Sequence, residues 1–99
     1  MKDYILNHLK LHSISNPTKI TTMEQMFKIP NRLIRQIIAD LRKEGQPIGS
    51  DSRNGYYWCG NERELEPFIN ETKSRIYELT RLIKGVRKKF RELDQINLF

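Results

Sequence analysis

Cysteine is nearly absent: Cys59 stands alone among 99 residues. No internal disulfide is possible, and the cytoplasm is the expected compartment. Long apolar runs are missing too. None approaches the roughly 20 residues that cross a bilayer, so no membrane segment is expected. The opening Met-Lys-Asp-Tyr-Ile-Leu-Asn-His breaks its apolar pattern too early for a signal peptide. Without a secretion signal, the acceptor-like Asn70-Glu71-Thr72 carries no weight. There is no phosphate-binding glycine loop, nucleophile elbow or carboxylate pair, so neither an enzyme nor a cofactor is expected. His8 and His12 sit at i, i+4, a spacing that can hold a metal, but no third ligand is placed for it; they read as structural. Proline is scarce, and none follows Pro67, which leaves the last third of the chain free to be one helix.

Charge, by contrast, is plentiful. Eighteen Lys and Arg against twelve Asp and Glu give a formal net charge of +6. Residues 1–60 carry nine basic and five acidic side chains, and residues 61–99 carry nine and seven. A basic excess favours a polyanionic partner, weakly when taken alone.

The pattern of apolar residues is mainly helical. Residues 2–12 predict a first helix with Tyr4, Ile5, Leu9 and Leu11 inward. Ser13 to Thr18 should be a loop and Lys19-Ile20-Thr21 a short extended link. Thr21 with Glu24, or Thr22 with Gln25, could form a capping box for a second helix whose Met23, Met26 and Phe27 face inward. Pro30 should stop that helix and start the next. From Asn31 to Glu44, Leu33, Ile34, Ile37, Ile38 and Leu41 fall on one face, and Asn31, Arg32, Arg35, Gln36, Ala39, Arg42 and Lys43 on the other. Gly45 suits the C′ position. Pro47–Ser50 and Tyr56–Cys59 read as strands around an Asp51–Gly55 loop in which Asn54-Gly55 supplies positive φ. Tyr56 and Trp58 share one face of the second strand. Tyr57 takes the other and is the aromatic expected to stay available. Cys59 reads as packing rather than nucleophile.

Asn61 followed by Glu64 is another capping box. Beyond it, Ile69, Ile76, Ile83 and Phe90 form one heptad position, a, and Thr72, Leu79, Val86 and Leu93 the other, d. Such a seam suits a two-stranded coil, so a homodimer is expected through Ile69, Ile76, Leu79, Ile83, Val86, Phe90 and Leu93. Isoleucine at a leans towards a parallel pair. The acidic first half (Glu62, Glu64, Glu66, Glu71, Glu78) and basic second half (Arg81, Lys84, Arg87, Lys88, Lys89, Arg91) lean towards an antiparallel one, the orientation weakly favoured.

Residues 20–58 resemble a winged helix-turn-helix of the biotin-repressor type. Met23, Phe27 and Ile29 take the apolar places of its turn motif. Leu41-Arg42-Lys43-Glu44-Gly45 closes the third helix, and Pro47-Ile48 and Gly55-Tyr56 frame the wing. Glu24, Lys28 and Pro30 depart from the family's Ala, Gly and Ser. The resemblance implies a DNA-binding domain over residues 1–60 followed by a dimerisation helix over 61–94. It implies that duplex DNA meets the start of the third helix, at Asn31, Arg32, Arg35 and Gln36, whose side chains suit base edges. Lys28 and Arg42 or Lys43 would then meet phosphates, and Arg53 with Asn54 would lie at the wing.

The last residues, 95–99, read Gln95-Ile96-Asn97-Leu98-Phe99. They are similar to the pentapeptide with which many bacterial proteins bind the replication sliding clamp: Gln, aliphatic, Ser or Asp, Leu, Phe. Gln95, Leu98 and Phe99 match outright, Ile96 stands for Leu, and Asn97 for Ser or Asp. The likeness implies a clamp as partner and a role in bacterial or phage replication. A transcriptional repressor whose C-terminal residues only pack is the alternative reading, and a protein-interaction adaptor that binds no DNA is a third.

Overall fold

The computed structural model describes the backbone of residues 1–97 and side chains through Glu92. It is mainly helical, with one two-stranded hairpin and a long C-terminal helix. The elements are α1 (Lys2–Lys10), α2 (Ile20–Phe27), α3 (Asn31–Lys43), β1 (Ile48–Asp51), β2 (Gly55–Trp58), a 3-10 turn (Glu62–Leu65) and α4 (Glu66–Asn97). Two compact units result, Met1–Phe68 and Ile69–Phe99. Among the described residues no helix is long and apolar enough to cross a membrane.

One core holds the first unit together. Ile5 and Leu9 of α1, Met23 of α2, Ile34, Ile38 and Leu41 of α3, and Ile48 of β1 are all buried, with Leu6, Phe27, Ile29 and Ile37 packed against them. Removing any of these seven from water is worth about 1.5–3 kcal/mol. Residues at the margins of each apolar face behave differently from their expected placement. Tyr4 on α1, Leu11 at its C-cap, Met26 on α2 and Leu33 on α3 are exposed. α1 ends at Lys10, so Leu11 leaves the helical face that buries Leu9.

α2 begins at Ile20, ahead of both expected capping threonines. Its N-cap is Lys19, with no side-chain cap, so neither capping box forms. The extended link is shorter and earlier than expected: buried Thr18 exchanges two backbone hydrogen bonds of 2.8 Å with Tyr56. α2 also stops before Pro30. Lys28 closes it in the left-handed conformation (φ 53, ψ 43). Pro30 then serves as N-cap of α3, accepting from the Ile34 N–H. α3 ends in a Schellman motif, with Gly45 N–H donating to Arg42 O and Gln46 N–H to Leu41 O.

The hairpin pairs Ile48 with Trp58, Gly49 with Tyr57, Ser50 with Tyr56 and Asp51 with Gly55. Of the loop residues only Gly55 has positive φ (111), and not Asn54. A Cβ at Gly55 would strike the Thr18 carbonyl, so the position needs glycine twice over. Tyr56 and Trp58 share the face packed against the core, as expected, but Tyr57 on the other face is buried as well rather than available. Tyr57 is 1% exposed and donates from its hydroxyl to Glu64 O at 2.9 Å, while Tyr56 and Trp58 are half-buried. Tyr57 fits because its cross-strand partner is Gly49, where a Cβ would collide with the tyrosine ring and Cys59.

Candidate nucleic-acid interface

The turn before α3 and the outward side of that helix carry a set of exposed polar side chains, with Pro30 and Leu33 exposed among them. Lys28, Asn31, Arg32, Arg35, Gln36 and Lys43 are all exposed there. The helix itself selects this set, because Ile34, Ile38 and Leu41 lock the opposite face into the core. Two i, i+4 hydrogen bonds order the surface. Asn31 Oδ1 accepts from Arg35 Nε at 3.1 Å. Gln36 Nε2 donates to Asp40 Oδ1, also at 3.1 Å. Fixing rotamers in this way lowers the entropy lost when a partner is gripped. Asp40 escaped the sequence reading; the signal was its position four residues after Gln36. A carboxylate there repels phosphate but can accept from a cytosine amino group.

Arg42, expected to meet phosphate, is held by contacts within the first unit. Its Nε donates to Ile48 O at 2.9 Å and its Nη2 to Ser50 Oγ at 3.1 Å. Its guanidinium carbon lies 3.8 Å from the Phe68 ring centroid and 5.7 Å from that of Tyr56. Arg42 therefore fastens the end of α3 to β1 and to Phe68, and leaves Lys43 as the cation facing solvent there. Beside it, Lys2 and Glu44 form an ion pair between α1 and the α3 C-cap.

At the hairpin tip, Asp51 organises the loop. Its Oδ1 accepts from the Arg53 N–H at 2.9 Å, and its Oδ2 from Asn54 Nδ2 at 3.1 Å. Arg53 and Asn54 are exposed, with the Asn54 amide turned towards Asp51 and the Arg53 side chain the available cation.

The two histidines brace the loop after α1. His8 Nε2 shares a 2.8 Å hydrogen bond with Thr18 Oγ1, and His12 Nδ1 one of 2.9 Å with Asn16 O. Their rings lie 4.6 Å apart, and His8 also meets Phe27 edge-on at 5.8 Å. Burial, with the charge of His12 adding, lowers the His8 pKa. Burial likewise pushes the Cys59 thiol up, which suits a packed side chain rather than a nucleophile. Among the described residues no group of three metal-ligating side chains occurs.

After Gly60 the expected Asn61–Glu64 cap forms in part. Asn61 Oδ1 accepts from the Glu64 N–H at 3.1 Å, while the Glu64 carboxylate accepts from Gly60 N rather than from Asn61. α4 then runs 32 residues without a break. On it Ile76, Leu79, Leu82, Ile83, Val86 and Phe90 are 51–63% exposed. Ile69 is half-buried. The positions flanking the seam bear on orientation. Between residues 73 and 89, heptad positions e and g carry Lys73, Thr80 and Arg87, and Arg75, Leu82 and Lys89, and the first acid after them at such a position is Asp94. Antiparallel pairing over the whole seam would set Lys73 against Arg87 of a second copy, and Arg75 against Lys89. Parallel in-register pairing sets Arg75 near Thr80 and Leu82 near Arg87, with no clash of charge. The seam residue Leu93 and the side chains of Gln95 and Ile96 lie outside the described residues, as do Leu98 and Phe99 altogether.

The outward side of α3, the turn before it and the hairpin tip therefore form the candidate surface of the first unit. No family model, no curated protein and no solved structure matches this chain.

Proposed function

We propose that the first unit is a winged helix-turn-helix that binds duplex DNA, with α2 and α3 as its helix pair and the β1–β2 hairpin as its wing. The reading is carried by one observation: the exposed side of α3 presents Asn31, Arg32, Arg35 and Gln36 in a row. These are the side chains that match purine edges in a major groove. The Thr18–Tyr56 bridge supports it further, because it supplies the short strand that a winged helix has between its first two helices. The protein is a binding protein, not an enzyme, and acts as a homodimer through α4. The seam flanks favour the parallel pair. The test is selection of a preferred duplex followed by Arg32→Ala and Arg35→Ala. Each should weaken that duplex by ~1–3 kcal/mol and relax the preference at one base pair.

The replication reading rests on the sequence of Gln95-Ile96-Asn97-Leu98-Phe99. Its two apolar anchors, Leu98 and Phe99, support binding to a bacterial sliding clamp around micromolar, or ~8 kcal/mol. Leu98→Ala with Phe99→Ala should abolish clamp capture and leave DNA binding intact. No capture by the wild-type chain, or a double variant that dissociates the dimer or melts, turns the reading to a repressor whose C-terminal residues only pack. The adaptor reading rests on an available Tyr57 and on the weakly basic first 60 residues, and of these Tyr57 is buried.

A further inference from the structure

α4 has a second face. Lys73, Tyr77, Arg81, Lys84, Lys88 and Arg91 follow one another at steps of 4, 4, 3, 4 and 3 residues, the repeat that keeps side chains in one row. The row spans about 27 Å at ~1.5 Å per residue. Lys73, at position e, stands at the edge of the seam, while from Tyr77 to Arg91 the row occupies positions b and f, away from Leu79, Ile83 and Val86, so pairing through the seam in either orientation leaves that stretch outward. Every member is exposed. Among the described residues none of its five cations is held in an ion pair, although Glu71, Glu78 and Glu92 run along one border. Arg81 instead lies 5.9 Å from the Tyr77 ring centroid.

We infer that this row is a second surface for the duplex backbone, gripping phosphates that α3 does not reach. The inference rests on the DNA-binding reading of the first unit. Like charges at i, i+4 and i, i+3 work against a helix, and Lys84, Lys88 and Arg91 stand at those spacings. Phosphates relieve that repulsion and release their own counterions in exchange. A duplex, with one charge per ~1.7 Å of axis, is long and dense enough to engage the whole row. An anionic membrane fits less well. A helix that lies on lipid must sink its apolar face, and here that face is a narrow coiled-coil seam used for pairing.

The experiment is anisotropy of the full-length chain with a preferred and a random labelled duplex across a salt series. The variants are Lys84→Ala/Lys88→Ala/Arg91→Ala and, separately, Arg32→Ala/Arg35→Ala. All are exposed positions at which alanine keeps the helix. The α4 variant should bind both duplexes more weakly by the same factor, with a log–log salt slope shallower by about 2–3, at about 0.9 per lost contact. The α3 variant should lose the preference between duplexes. An unchanged slope and affinity in the α4 variant overturns the inference. If the α3 variant still loses its preference, the DNA-binding reading survives alone; if neither variant differs from wild type, both fail. Lys84→Arg with Lys88→Arg must behave as wild type, and an equal loss there would mean a structural defect and overturn the phosphate role. Binding to phosphatidylglycerol vesicles that the α4 variant loses, with its DNA slope unchanged, would also overturn it.

Discussion

The guanidinium of Arg42 stacks on the ring of Phe68 at 3.8 Å while it donates to the Ile48 carbonyl at 2.9 Å. One side chain thereby joins the end of α3 to the first hairpin strand and to the first turn of α4. Arg42→Ala should cost about 2–3 kcal/mol in urea unfolding, from lost hydrogen bonds and stacking. Arg42→Lys should recover little of it, because an ammonium cannot reproduce the planar fork. Lys43→Ala, one residue on and exposed, should shift stability by less than about 0.5 kcal/mol while weakening DNA binding. Equal stability losses at both positions would contradict this division of roles.

Lys28 is the one non-glycine residue at positive φ among those described. A side chain in that conformation costs roughly 1–2 kcal/mol. Lys28→Gly should therefore raise unfolding stability by about 1 kcal/mol, and at the same time flatten the salt dependence of DNA binding by about 0.9 in slope for each protomer engaged. A glycine variant less stable than wild type would mean that the lysine side chain supports the turn.

Burial lowers the pKa of His8, so the folded state takes up its proton at lower pH than the unfolded chain. Above the ordinary imidazole value of about 6.5 both states are neutral and nothing is lost. As pH falls below that value the unfolded state protonates first, and stability declines until the folded state protonates as well. Urea midpoints between about pH 7.5 and 5 should fall in wild type and fall less in His8→Gln, which can keep the Thr18 hydrogen bond. Parallel curves for the two proteins would place the pH dependence elsewhere.

Pairing along α4 is tested by cross-linking. In a parallel in-register dimer, Val86 stands opposite Val86, within the reach of about 7 Å that a disulfide needs. In an antiparallel dimer overlapping the whole seam the two are displaced by roughly 15 Å along the axis. Val86→Cys should therefore oxidise to a covalent dimer, while wild type, with Cys59 buried, should not. Sedimentation of Ile76→Asp with Ile83→Asp should give monomers.

Much of this architecture was legible because a helical period assigns a face. Ile34, Ile38 and Leu41 went inward, and Asn31, Arg32, Arg35 and Gln36 outward, on spacing alone. Residues at the edge of a stripe were not legible. Leu33 and Met26 share a turn with buried neighbours, and only the packing of the other helices decides how far the core reaches. Alternation on β2 separated Tyr57 from Tyr56 and Trp58, which pack on the core, but the burial of Tyr57 depends on the space left by Gly49 across the strand and on the turn that brings Glu64 to its hydroxyl. Arg42 looked like a free cation because its partners, Ile48, Ser50 and Phe68, are brought to it by the chain reversal at Gly45. Asn61 and Glu64 were readable because a cap is local, while the α2 start was set by the non-local bridge from Thr18 to Tyr56.

The most direct test of the DNA-binding surface is an amide chemical-shift titration of the labelled protein with a preferred duplex. Shifts concentrated on Lys28–Lys43 and on Asp51–Gly55, growing with DNA and collapsing at high salt, are the predicted result. No shifts, or shifts confined to the α1 side around Tyr4 and Leu11, would contradict the assignment of α3 and the hairpin as the surface that meets DNA.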